Sequence, residues 1–135
     1  MKKGILSLIF AGLIMFSATG CGKKDSPKTA AVEFMNSFVT GDVDSFKKYS
    51  TQDTQALFAL MMATKCSKED MKNNPGKCLK LIGANIKNIE VVKVDKNGEN
   101  NALVTLKETL KNGETKTTQM PVTKTKDGWK VYIKK

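Results

Sequence analysis

Histidine and arginine are both missing from the 135 residues. Without histidine, the chain lacks the usual general base of nucleophile–histidine catalysis and the commonest nitrogen ligand of metal sites, so neither a triad nor a resident metal or cofactor is expected. The absence of arginine removes the commonest specific base-reading side chain. The net charge of +10 therefore comes from lysines alone, and these are spread along the whole chain. Nucleic acid is not the expected partner; solubility and a general attraction to anionic lipid headgroups explain the charge better. No glycine-rich phosphate loop occurs. After Phe16 no long apolar run follows, which argues against a membrane span.

The N-terminus is better endowed. Lys2 and Lys3 are basic, Ile5 to Phe16 are nearly all apolar, and Ser17-Ala18-Thr19-Gly20 are small, which are the three regions of an export signal. The apolar stretch falls short of the ~20 residues a spanning helix needs. Cysteine follows directly at position 21, and Ala18-Thr19-Gly20-Cys21 resembles the lipobox of bacterial lipoproteins, with alanine at 18 where leucine is most frequent. The resemblance implies cleavage before Cys21, a diacylglycerol on its sulfur and often an acylated new amino terminus. Two or three acyl chains anchor firmly where one is marginal, each buried methylene contributing about 0.8 kcal/mol. Glycine rather than aspartate at position 22 implies the outer membrane, facing the periplasm. The expected organisation is a lipoprotein signal peptide over 1–20, a lipidated tether over 21–27 and one domain over 28–135, a length that supports a single modest core.

Two further cysteines remain, Cys66 and Cys78. In an oxidising compartment such a pair is expected to form a disulfide, and closing a loop of this length stabilises by roughly 3 kcal/mol. The spacing is not Cys-x-x-Cys, so a redox centre is not expected.

From Thr29 to Thr40, Ala31, Phe34, Met35, Phe38 and Val39 recur at helical spacing, and Gly41 ends the helix. Asp42 caps a short second helix with Val43, Phe46 and Tyr49 on one face. Ser50 and Asp53 form a capping-box pattern that opens a third helix, running to about Thr64. Because Ala56 to Ala63 are almost continuously apolar, this third helix is expected to be buried on most sides or to line a cavity. Ser67-Lys-Glu-Asp starts another turn before Asn73-Asn-Pro-Gly76, and Leu79 to Ile82 fit a helical turn or a strand. Beyond Gly83 the pattern turns β-branched and alternating over 86–95, 101–110, 115–125 and 129–134. The joins contain Asn-Gly, Asn-Gly and Asp-Gly, the strongest short-range hairpin signal. The fold class is therefore α+β, with N-terminal helices packed on a curved four-stranded antiparallel meander. Ala102, Val104 and Leu106 share one face of the second strand, as do Trp129, Val131 and Ile133 of the fourth.

Ala30-Ala-Val-Glu-Phe-Met, Phe38-Val-Thr-Gly-Asp-Val-Asp and the terminal Asp127-Gly-Trp-Lys-Val resemble the nuclear-transport-factor-2-like superfamily, a cone-shaped fold shared by ketosteroid isomerase. The most similar members are small bacterial lipoproteins of unassigned function. In enzymes of that superfamily an acid or base lies between helices and sheet. The residue here that continues the Ala102, Val104, Leu106 alternation is Glu108, which a dry pocket would suit to proton transfer. Its place near the strand end predicts instead a solvated carboxylate or one paired with a lysine. Tyr49 is expected in the core with its hydroxyl at the rim, and Trp129 is expected to pack sheet against helices. The favoured function is a non-enzymatic binding or interaction module that takes an apolar ligand or an envelope protein; the alternative is an isomerase- or dehydratase-like enzyme using Glu108. Homodimerisation through the sheet is common among relatives of this fold.

Overall fold

The computed structural model describes residues 24–133. The expected signal over 1–20, the lipidation site Cys21 and the first residues of the tether lie outside the described residues. In chain order the elements are α1 (Pro27–Thr40), α2 (Val43–Lys48), α3 (Gln52–Ala63), α4 (Lys68–Asn73), α5 (Pro75–Ile82), β1 (Ile86–Lys96), β2 (Asn101–Leu110), β3 (Thr115–Thr125) and β4 (Gly128–Val131). The strands form one antiparallel sheet in the order β1-β2-β3-β4, an open meander preceded by helices, as the alternating segments and their Asn-Gly and Asp-Gly joins predict.

The helix starts follow from capping chemistry. Ser26 accepts the Thr29 amide, and Pro27, which lacks an N–H, occupies the first turn where none is needed, so α1 begins two residues before Thr29. At its other end Gly41 adopts φ 75° and sends its N–H to the Ser37 carbonyl. α5 comes so close there that a Cβ on Gly76 would lie 2.6 Å from the Gly41 carbonyl oxygen. Asp42 caps α2 as expected. The cap of α3, however, is Thr51 and not Ser50. Ser50 is buried, gives its hydroxyl to the Phe46 carbonyl and forms a parallel bridge with Val131. Residues 49–51 thus continue the sheet beyond β4, through Val131 N–H to Tyr49 and Thr51 N–H to Val131, and the cap moves one residue on. Ser67 opens α4, and Pro75 begins α5, which makes Leu79 to Ile82 helical.

α1 lies across the sheet and touches all four strands, while α2 and α5 pack on α1 from the other side. Phe34 and Phe38 of α1, Leu79 of α5, and Val104, Leu106, Val122 and Val131 of the sheet are buried almost completely. Phe34, Phe38, Phe46 and Phe58 form one aromatic cluster with centroid separations of 5.1 to 6.3 Å, joining α1, α2 and α3.

Two strands depart from the sequence expectation. β4 ends at Val131, not Lys134. Tyr132 still donates to the Pro121 carbonyl, but Pro121 has no N–H to return, so the ladder stops there. Ile133 then donates to the Thr54 hydroxyl, which in turn donates to the Val131 carbonyl, drawing the chain off the sheet onto α3. β1 is interrupted between Ile86 and Asn88 and between Val91 and Lys93. The second irregularity leaves Val92 57% exposed on an edge strand, where such irregularities and flanking lysines discourage pairing with another chain.

Candidate functional site

The sheet surface that faces the helices carries Ala102, Val104, Leu106 and Glu108 from β2, and Thr118, Met120 and Val122 from β3 opposite or diagonal to them. Glu108 therefore belongs to the inward set, as its alternation implies. The structure corrects the expectation that it is solvated or lysine-paired: it is 5% exposed, and its Oε2 accepts the Thr118 hydroxyl at 2.6 Å. Alternation outweighs proximity to the strand end: Glu108 stands between Ile89 on β1 and Lys116 on β3, in the row of inward residues that the helices pack on. Chemically, the pair is a carboxylate fixed in orientation by one hydroxyl donor, able to accept or deliver a proton to a group placed at its other oxygen. Thr118→Val should remove the donor without changing shape, leaving a buried acceptor under-satisfied at a cost of about 1–3 kcal/mol in urea unfolding. An unchanged midpoint would show that water reaches this carboxylate.

Tyr49 and Trp129 are both buried, as expected, and with Asp25, Lys48, Lys126, Asp127 and Gly128 they line an open depression of about 340 Å³. Lys48 Nζ lies 5.2 Å from the centre of the Tyr49 ring, within cation–π range. Other depressions are lined by Thr51, Gln52, Asp53, Asn101, Thr123 and Tyr132, and by polar residues of α1 and α2. None of these is lined by Glu108. Among the described residues no cluster of histidine, cysteine, aspartate or glutamate could hold a metal ion. Nor is any helix among them long and apolar enough to cross a membrane.

α3 differs most from its sequence reading. Thr54, Phe58 and Met62 turn toward the rest of the domain, but Leu60 is 65% exposed and Met61 41% exposed. The helix is not buried on most sides. The space beneath the sheet is taken by Phe34 and its neighbours on α1, which leaves α3 outside. On α5, which packs against α3, Leu81 is 42% exposed, so both helices carry uncovered apolar side chains. Cys66 and Cys78 are bonded, with Cα atoms 5.8 Å apart, and this link fastens the connection that follows α3 to the middle of α5. Sequence could have signalled the exposure of Leu60: it follows Phe58 by two residues, which in a helix places the two on opposite sides.

A family model described as "Domain of unknown function (DUF4878)" matches residues 19–132. A search of curated proteins found no match. Among solved structures the chain is similar to one from Campylobacter jejuni, provisionally named an NTF2-like transpeptidase. That likeness has a TM-score of 0.53 at 16% identity and covers 80% of this chain and 98% of the other. It establishes the nuclear-transport-factor-2-like fold that the three motifs resemble.

Proposed function

The chain belongs to the DUF4878 family, and for this member of it we propose a lipid-anchored envelope protein that binds a partner protein through the apolar side chains of α3 and α5. The observation that carries the binding role is the exposure of Leu60, Met61 and Leu81 on two packed helices that a disulfide holds together. Covering these apolar groups with a partner would gain roughly 25 cal/mol per Å², which supports a contact surface on this pair of helices. A protein fits better than a small apolar ligand, because the inward sheet face is filled by side chains of α1. The anchor rests on Ala18-Thr19-Gly20-Cys21, and Gly22 supports the outer membrane, with the domain in the periplasm.

Two measurements test this. Cys21→Ser should move the protein from the membrane fraction to the soluble fraction; a variant that still sediments with membranes removes the anchor. A photo-crosslinker at position 60 should yield a discrete adduct in cells, one that Met61→Asp abolishes while thermal unfolding stays unchanged. No adduct, or one indifferent to Met61→Asp, would remove the binding role.

The burial of Glu108 against Thr118 supports a second reading, proton transfer by an isomerase- or dehydratase-like enzyme. Crosslinking that proceeds unchanged in Glu108→Gln would favour the binding role; a ligand retained by the wild-type protein and lost in Glu108→Gln would favour the enzyme.

A further inference from the structure

The start of the described chain is fixed to the last hairpin. Asp25 Oδ1 accepts the Trp129 amide at 3.0 Å. Gly128 lies directly beneath, at φ 109°, and a Cβ there would stand 2.9 Å from the same carboxylate oxygen, so only glycine lets Asp25 seat. Only Gly22, Lys23 and Lys24 therefore separate Cys21 from a point fixed on the domain, a span of at most about 14 Å over four Cα-to-Cα steps. Around that point stand Lys24, Lys48, Lys124 and Lys126, all exposed, and Lys130, whose Nζ donates to the Lys48 carbonyl. Against these five stand Asp25, already engaged, and Asp127.

We infer that this end of the domain, the β3–β4 turn with the Tyr49–Trp129 depression, is a docking surface for the anionic phospholipid headgroups of the membrane that holds the anchor. The inference rests on the lipid-anchored reading above. A tether this short keeps the lysines within about one or two screening lengths of the bilayer, where Lys24, Lys48, Lys124, Lys126 and Lys130 are attracted to phosphate groups. Five positive charges against two negative give the surface its sign. The apolar side chains of α3 and α5 are then kept off the bilayer. α5 packs against the C-terminal end of α1, where Gly76 meets Gly41, while Asp25 precedes its N-terminal end, and α1 is about 21 Å long. One end of the domain faces lipid and the other faces the periplasm.

The test is hydrogen exchange on the full lipidated protein in vesicles of pure phosphatidylcholine or of phosphatidylcholine with phosphatidylglycerol. In the anionic vesicles, amides of residues 124–130 and 47–49 should exchange at least about fivefold more slowly, and the slowing should vanish in 0.5 M salt and in Lys48→Glu/Lys126→Glu. Both substituted side chains are exposed, and unchanged exchange in β1 and β2 would confirm that the variant folds. Protein that stays with the vesicles but exchanges alike in both lipids overturns the inference alone. Slowing over α3 and α5 instead overturns it too. Protein that washes off both vesicle types shows that the anchor itself is wrong, and the docking surface falls with it.

Discussion

Phe34→Ala should destabilise the domain by about 3–5 kcal/mol, the largest effect expected of any single substitution here. Phe34 is fully buried and is the hub of the aromatic cluster, 5.1 Å from Phe38, 5.7 Å from Phe46 and 5.3 Å from Phe58 between ring centres. Its ring joins three helices within the same core as the inward residues of the sheet, and Ala30 and Ala31 of the same helix are buried with it. Truncation removes apolar surface from its environment and leaves a space that three separately anchored rings cannot collapse to fill. Edge-to-face contacts with Phe38 and Phe58 are lost in addition, each about 0.5–1.5 kcal/mol beyond burial. Urea unfolding followed by circular dichroism would report a lower midpoint with an unchanged slope. Leu60→Ala is the matched control: at 65% exposure it should change stability by less than about 0.5 kcal/mol. If Phe34→Ala fell within that margin, the helical layer would not depend on this cluster.

Opening the Cys66–Cys78 link is the second large effect. The bond joins residues twelve apart in sequence and connects α3 to α5, and releasing a loop of that size costs roughly 3 kcal/mol through the greater freedom of the unfolded chain. For a domain near one hundred residues this corresponds to a fall of about 12–24 °C in the unfolding midpoint. Cys66→Ser with Cys78→Ala is the suitable pair, because Cys78 is buried and a hydroxyl there would add a separate penalty, whereas Cys66 is partly accessible. The wild-type protein with reductant should show the same fall and, after alkylation, two modified thiols. A double variant that unfolds at the wild-type temperature would mean that packing of α5 on α1 alone holds this part of the domain. The exposed apolar side chains of α3 and α5 should also lose their fixed relation when the bond is opened, so partner crosslinking at position 60 should fall alongside stability.

The elements that could be read from sequence are those whose signals are local. Gly41 stops α1, Asp42 caps α2, and the Asn-Gly joins turn β1 into β2 and β2 into β3, each through chemistry contained within four residues. What escaped depends on distant partners. Ser50 and Thr51 are both good caps in isolation, and only the bridge between Ser50 and the distant Val131 decides between them. β4 ends early because of Pro121 on the neighbouring strand. The composition of α3 is that of a buried helix, yet burial is a competition for a limited interior, and α1 with its two central phenylalanines takes the place beneath the sheet. Glu108 shows the reverse error: its alternation was legible, but the Thr118 hydroxyl that makes its burial tolerable lies on another strand. The docking lysines are a similar case, since nothing local indicates that Asp25 seats on Trp129 and gathers them at one end.

That contact between Asp25 and Trp129 spans 104 residues, and the Thr54 clamp on Val131 spans 77. For a polypeptide that emerges from its amino end, Asp25 and Thr54 must wait for the final strand before these two partners exist. The β-hairpins can zip up as they appear, being local, but the interior closes only when Trp129 and Val131 arrive. The final hairpin is therefore the piece that completes the domain, tying its last strand to the first and third helices.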